Sequence, residues 1–231
     1  MNSPFRDRRQ LVGIAVIAVV KLVATIAVAV VAFGTPERAH AAPEASFQPA
    51  FRQFNNASMG DKSAVEPSAD AFEALLKAEP ANPVLMAYAG ASLAMRASTT
   101  MAPWKKMGFA EDGLAQIDKA LAMLTPAHDA AMQHGTPGSL EVKFVAASTF
   151  LRVPSFMNRG ARGSKLLADV LGSPLFQQAP LPFQGAVWMQ AAALATKEQR
   201  SDDATRYLNE VISRNAPQAE KARAMLKGGG A

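Results

Sequence analysis

Helix boundary residues recur along the chain from residue 67 onward, and they constrain its fold more than any other feature. Asn82 and Pro83 combine an N-cap residue with a proline at the first helical position, where the missing N–H costs nothing. Thr136 and Pro137 repeat this combination. Between such boundaries the apolar residues lie three or four positions apart, and runs of alternating β-branched residues are missing. The sequence therefore predicts an all-α fold.

The predicted helices pair into four successive hairpins. Ser68 and Ser201 are the predicted N-caps of the first and last hairpins. The four hairpins start near residues 68, 109, 157 and 201, at intervals of roughly 40–50 residues. Since a single hairpin cannot bury its apolar stripe alone, such a series is typical of an α-solenoid in which each hairpin packs on its neighbours.

The N-terminal region has the order of an export leader. Three arginines precede an apolar run from Leu11 to Phe33, and the small residues Ala39 and Ala41 follow it. These are a positive n-region, an apolar h-region and the −3 and −1 positions of a cleavage site before Ala42. We therefore expect the body of the protein to lie in the periplasm or elsewhere outside the cytoplasm.

A second interpretation of the same region is a permanent inner-membrane anchor. The run of 23 residues would reach about 34 Å as a helix, enough to cross the hydrocarbon core. Lys21, near its middle, disfavours a permanent span because a charge there costs about 2.5–3.5 kcal/mol. Arg8 and Arg9 resemble a twin-arginine export motif, and an ordinary positive n-region is the alternative. Every one of these interpretations places the body on the same side of the membrane.

Composition divides the chain into four parts. Residues 1–42 form the signal peptide or anchor, and residues 43–66, rich in proline, serine and asparagine, form a predicted linker in which a short helix could dock its phenylalanines. Residues 67–227 form the helical domain. Residues 228–231 contain three glycines and are expected to be a disordered tail.

Charge and cysteine content exclude several classes of function. Beyond residue 42 the chain has 19 basic and 17 acidic side chains, so the basic character of the whole chain comes largely from the leader. That balance gives no support to nucleic-acid binding, which needs a clustered basic face. The chain contains no cysteine, which excludes disulfides, thiolate metal sites and a lipid-modified N-terminal cysteine.

Several short patterns resemble tetratricopeptide repeats. Small residues fall where paired helices would cross, an aromatic residue lies in the second helix, and a proline closes the unit. These positions are Trp188, Ala191, Ala192, Ala195, Asp203, Ala204, Tyr207, Leu208, Val211, Ile212 and Pro217. The stretch from Phe72 to Leu171 is also similar to bacterial tetratricopeptide-like exported proteins of poorly defined function, through its Phe72-x-x-Leu75-Leu76, Asn82-Pro83, Ala87-Tyr88-x-Gly90, Gly113-Leu114-x-x-Ile117 and Val153-Pro154 patterns. The resemblance implies a tetratricopeptide-like solenoid, with long loops that depart from the usual repeat length.

No catalytic constellation, cofactor motif or metal motif is recognisable, so we expect a protein that is not an enzyme and has no cofactor. His128 and His134 lie in a polar segment with Asp129, but two histidines six residues apart without a third ligand favour a solvated loop over a metal site. Asp202 and Asp203 open a helix, where carboxylates favour the positive end of the helix dipole.

Two groups of residues are candidates for binding a partner. The stretch from Val142 to Ala168 has no acidic residue and carries cations that could hold an acidic loop or phospholipid head groups, with a solvated rim as the alternative: Lys143, Arg152, Arg159, Arg162 and Lys165. Trp104 is placed in a predicted loop from Thr99 to Gly108, where it serves either as a packing anchor or as a partner contact.

These features together predict a scaffold or adaptor that binds a protein partner in the bacterial envelope, with an inner-membrane transport complex as the candidate. The motivation is an exported helical array without recognisable chemistry. No nucleic-acid partner is expected, and the membrane would be contacted through the N-terminal helix if the leader is not cleaved. A periplasmic protein that binds a small ligand between its helices is the alternative.

Overall fold

The structure, a computed structural model, describes residues 42–228, and its regular secondary structure there is helical without a β-strand. The leader, with Ala39 and Ala41, lies outside the described residues, as does the predicted tail apart from Gly228. Between residues 42 and 228, no helix combines the length and apolarity that a membrane span requires.

Nine α-helices follow one another along the described chain. They are α1 (Glu44–Ser58), α2 (Val65–Ala78), α3 (Pro83–Thr99), α4 (Pro103–Ala122), α5 (Gly138–Arg152), α6 (Gly160–Leu171), α7 (Leu181–Lys197), α8 (Ser201–Ser213) and α9 (Ala219–Gly228). Short 3-10 turns occupy Lys62–Ala64, Pro126–Asp129, Gln133–Gly135, Ser155–Met157 and Pro174–Gln178.

The helices pair in the opposite phase to the predicted hairpins. The most extensive contacts join α3 to α4, α5 to α6 and α7 to α8, whereas α4 contacts α5 little and α6 contacts α7 little. Short connections account for two of these pairs, because residues 100–102 and 198–200 are three-residue turns that favour antiparallel neighbours. The longer segments 123–137 and 172–180 separate one hairpin from the next. The predicted all-α class is confirmed. The predicted hairpins that start near residues 109 and 157 are wrong by one helix, whereas α2 contacts α3 and α8 contacts α9, as the predicted first and last hairpins require.

Residues 43–66 belong to the packed body, although the sequence analysis treats them as a linker. Most of the segment is helix α1, and Phe47 is fully buried in the first apolar core. Its ring stacks on Phe51 and meets Phe72 of α2 edge-on, with centroids 5.7 Å apart in both cases. The predicted short helix with docked phenylalanines is therefore present, and it is longer than expected.

The predicted helix caps are correct at some boundaries and wrong at others. The side chain of Asn82 accepts hydrogen bonds from the backbone N–H groups of Val84 and Leu85, as an N-cap does. Ser68 instead lies inside α2, where its buried hydroxyl is 2.8 Å from that of Ser92. Ser201 is the first residue of α8 and makes no capping bond.

Two apolar cores fill the described body, and α5 contributes to both. The first core lies among α1 to α5 and includes Phe72, Leu85 and Phe150. The second lies among α5 to α9 and includes Leu140 and Trp188. Helix α5 is consequently buried on most of its circumference.

The closest helix approach in the first core depends on two glycines. Gly90 of α3 and Gly113 of α4 face each other, and a Cβ added to Gly113 would lie 2.5 Å from the carbonyl oxygen of Gly90. Real carbon and oxygen atoms do not approach so closely, so the two backbones must move apart if either glycine gains a side chain.

We predict that Gly113→Ala lowers the free energy of unfolding by about 1–3 kcal/mol, because separation of α3 from α4 outweighs the gain in helix propensity. Gly108→Ala is the matched control on the same helix, since an added Cβ there meets nothing within 4 Å. The control should be neutral or stabilising by up to about 1 kcal/mol. Urea unfolding of both variants measures the difference, and equal stability of the two would contradict the predicted close packing.

Candidate functional site

A buried polar cluster lies where α1, α3 and α5 meet the Gln133–Gly135 turn. Glu141 of α5 is 2% exposed, and its Oε1 accepts a hydrogen bond of 2.8 Å from the hydroxyl of Tyr88 on α3. The other carboxylate oxygen, Oε2, has no hydrogen-bond partner within residues 42–228. Burial raises the pKa of Glu141 to about 8, and this outweighs the opposing bond from Tyr88. The Glu141 carboxyl is therefore largely protonated at neutral pH in this arrangement.

His134 forms the second part of the cluster. Its φ of 53° is left-handed, a conformation that histidine adopts more often than most residues, and it turns the ring onto α1. The ring centroid lies 4.5 Å from that of Phe51, and Nδ1 is 2.7 Å from both Oε1 of Glu44 and Nε2 of Gln48. Burial lowers the pKa of His134 despite the neighbouring Glu44 carboxylate. The predicted solvated loop is therefore wrong for this histidine, which packs against the core.

Only one of the two histidines singled out in the sequence belongs to the cluster. His128 lies apart from it and accepts a hydrogen bond from the backbone N–H of Thr125 through Nδ1. No group of three potential ligands gathers anywhere in the described part of the chain. Asp129 instead accepts a short hydrogen bond from Ser139 at the start of α5.

Sequence reasoning missed Glu141 as a site residue. A glutamate between Leu140 and Val142 on the inner face of α5 is the signal that was available. This pattern does not by itself predict a buried glutamate, because the periodicity of one helix does not show how much of its circumference neighbouring helices cover.

The predicted basic rim is largely paired with carboxylates. Arg159 and Arg162 both donate to Asp118 of α4, and the guanidinium of each lies 5.3 Å from the ring centroid of Phe150. Lys165 pairs with Asp169 one turn along α6, with 2.9 Å between Nζ and Oδ2. Four residues thus clamp the start of α6 onto α4 and α5 through charge and cation–π contacts.

Arg152 differs from the other predicted rim residues. It lies at the solvent-exposed end of α5, and partial desolvation of its guanidinium lowers its pKa. No carboxylate within the described chain pairs with it. The structure therefore does not bring the predicted cations together as one unpaired surface.

Trp104 lies in the first turn of α4 and not in a loop. Its side chain is 78% exposed, so the interpretation as a packing anchor is wrong. Met101 and Met107, three residues before and after it, are 93% and 44% exposed. We name Met101, Trp104 and Met107 the Trp104 patch; Lys105 and Lys106 border it and are exposed.

Two concavities in the described part offer little room for a small ligand. One of about 450 Å³ is an open groove along a single helix face of α8, from Asp202 to Ser213. Another, between α6, α7 and α8, has a volume of about 120 Å³, which is below the roughly 300–1,000 Å³ of ordinary ligand pockets.

In α8, Asp203 lies in the first turn and pairs with Arg200 and Arg206, which agrees with the predicted position at the helix start.

Comparisons with known proteins identify no family. No family model matches the chain, and neither the curated proteins nor the solved structures contain a match. The tetratricopeptide-like resemblance therefore stays a prediction that rests on the residues quoted above.

We predict that the stability of the chain with an intact Ala41–Ala42 bond falls as pH rises from 7 to 8, by about 1 kcal/mol. The folded pKa of Glu141 lies above its unfolded value of 4.5, so the folded state keeps a proton that the unfolded state releases, and stability is lost as pH rises toward about 8. The lowered pKa of His134 has the opposite effect, because it makes stability rise with pH near the usual histidine pKa of 6.5. The interval from pH 7 to 8 therefore shows the effect of Glu141 most clearly.

The measurement is urea-dependent pulse proteolysis of an Ala41→Phe chain, which lacks the small −1 residue that cleavage requires. Glu141→Gln should remove the slope between pH 7 and 8. Glu111→Gln, on the exposed face of α4, is the control and should keep it. A slope that persists in Glu141→Gln would show that another group titrates.

We also predict that Asp118→Asn weakens the clamp at the start of α6. The two arginines and Asp118 are partly exposed, so we expect a loss of about 1 kcal/mol or less in the free energy of unfolding. Asp169→Asn, which removes the exposed pair with Lys165, is the control and should cost less than Asp118→Asn. Urea unfolding at low and high salt measures both, and an unchanged stability of Asp118→Asn would show that the clamp contributes nothing.

Proposed function

We propose that the protein is an exported helical adaptor that binds a protein partner in the bacterial envelope through the Trp104 patch. One observation carries the proposal: a tryptophan and two methionines at the start of α4 are exposed together, 78%, 93% and 44%, next to two lysines. A contiguous group of large exposed apolar side chains is unusual on a protein surface unless it contacts something.

The chemistry of the patch suits a protein partner. Tryptophan is enriched among the residues that dominate binding energy, and methionine adapts its shape to an apolar pocket. Lys105 and Lys106 favour an acidic rim around that pocket and would steer the encounter. An inner-membrane transport complex is the candidate partner, because the leader predicts that the body lies outside the cytoplasm.

Other parts of the molecule support this choice over the predicted rim. Arg159 and Arg162 already pair with Asp118, so a partner that used them would have to displace or share those bonds. The Trp104 patch needs no such rearrangement. The small-ligand alternative is less favoured, because the described concavities are either shallow or small.

We predict that Trp104→Ala weakens the complex by about 30-fold or more, the effect of truncating a residue that contributes at least 2 kcal/mol to binding. The first experiment cross-links the full-length tagged chain in its own cells through a photoreactive residue at position 104. Partners identified there are then titrated against the wild-type chain and the Trp104→Ala chain.

Phe156 supplies the matched control, since it is 65% exposed in a different connection. A photoreactive residue at position 156 should not cross-link the same partner, and Phe156→Ala should bind that partner as tightly as the wild-type chain. A partner that binds Trp104→Ala as tightly as the wild-type chain would contradict docking at this patch. If the double variant Arg159→Glu with Arg162→Glu loses partner binding and Trp104→Ala keeps it, the interface lies at the rim and not at the Trp104 patch.

A further inference from the structure

The residue that follows the predicted cleavage site is buried in the first core. Ala42 is 4% exposed, and its carbonyl oxygen accepts a hydrogen bond of 3.2 Å from Nε2 of Gln133. Gln133 is itself fully buried. An exported chain cut before Ala42 would therefore begin inside the body and not on a loose extension.

Two buried polar atoms without partners lie in the region where α1 begins. Within residues 42–228, neither Oε1 of Gln133 nor Oε2 of Glu141 has a hydrogen-bond partner. Oε1 of Gln133 is bonded to the same amide carbon as the Nε2 that contacts Ala42. Glu44, two residues after Ala42, is near enough to Glu141 for its charge to act on that carboxyl. Unpaired buried oxygens are costly, and an ammonium group is the donor that two such acceptors would favour most.

We propose that cleavage before Ala42 creates an α-ammonium group that is retained in the core, where it donates to Gln133 and pairs with the Glu141 carboxylate. The cut is a peptide-bond hydrolysis by an export peptidase. Water supplies the hydroxyl that joins the Ala41 carbonyl carbon and the proton that the Ala42 nitrogen takes up. The α-amino group, with an ordinary pKa of about 7.7–8.0, is then largely protonated at neutral pH.

The energetics require the acidic partners. An ammonium group at the start of α1 meets the positive end of the helix dipole, which disfavours it by about 0.3–1 kcal/mol. Glu44 in the first turn opposes that effect, and ionised Glu141 would compensate the cost of burial. The charged and titratable groups that face the site are Glu44 on α1, Tyr88 on α3, His134 in the turn and Glu141 on α5.

The burial of Ala42 also determines the order of cleavage and folding. Because Ala42 is buried once α1 packs, the peptidase must cut before α1 docks on α3 and α5. Docking then shields the new terminus from aminopeptidases. The site at Ala42 is buried and polar, whereas the Trp104 patch is exposed and apolar, and neither proposal depends on the other.

The test uses the full-length chain expressed in an exporting bacterium, where its own leader directs processing. Mass spectrometry of the purified body should find an N-terminal peptide that begins at Ala42. The α-amino group is then labelled with an acylating reagent at pH 7. In the folded body it should react at least about tenfold more slowly than in the same protein unfolded in urea, because a salt-bridged ammonium is the unreactive form.

Glu141→Gln removes the carboxylate and keeps an acceptor for Tyr88. We expect its α-amino group to react several-fold faster than that of the wild-type body, while the exposed lysines of both react equally. Glu198→Gln, an exposed glutamate between α7 and α8, is the control and should label like the wild type. Cleavage should also roughly halve the loss of stability between pH 7 and 8 that the Ala41→Phe chain shows. The unfolded α-amino group begins to release its proton in that interval while the folded one keeps it, so the larger part of the loss moves above pH 8.

Three results would overturn the proposal. One is an N-terminal peptide that begins elsewhere or a chain that remains uncut. Another is an α-amino group that labels as fast in the folded body as in urea, a comparison that needs no variant and holds even if Glu141→Gln fails to fold. The third is a processed body whose stability falls between pH 7 and 8 as steeply as that of the uncut Ala41→Phe chain. None of these results bears on Trp104, so the two proposals fail separately.

Discussion

The burial of α5 on two sides is the constraint on which the rest of the described body depends. Val142, Val145 and Phe150 face the first core, and Leu140 and Ala147 face the second. A helix surrounded in this way has little room for charge, and it carries one carboxyl, Glu141, in the turn that meets Tyr88. Loss of α5 packing would separate the two cores, because among the described helices α5 alone contributes buried residues to both.

The position of Glu141 joins the fold to the chemistry of the N-terminal end. The Gln133–Gly135 segment binds both Ala42 and Glu44 at the start of α1, and the charge of Glu44 acts on the Glu141 carboxyl. A single hydrogen bond to Tyr88 satisfies only half of the carboxylate. An unpaired carboxylate oxygen is costly in the core, and this cost favours either protonation of Glu141 or a cationic partner beside it.

Local sequence patterns predict the structure correctly where one helix and its own boundary determine the outcome. The all-α class followed from periodicity, and the Asn82 cap followed from a side chain that bonds backbone N–H groups two and three residues away. Trp104 and the hairpin phase were not predictable in this way. Whether a tryptophan is buried depends on which helices lie opposite it, and the pairing of helices depends on connection lengths whose ends the sequence marks only to within a few residues.

The sequence by itself determined the helical class, the breaks at its prolines, the exclusion of disulfides and the prediction of an exported body, because each depends on residue type and spacing along one segment. Only the tertiary structure decided that residues 43–66 join the core, that Gly90 meets Gly113, that Asp118 pairs with Arg159 and Arg162, and that Glu141 lies beside the start of α1. The physical reason is that burial and charge pairing are properties of several helices together. Residues more than forty positions apart acquire them only when those helices pack.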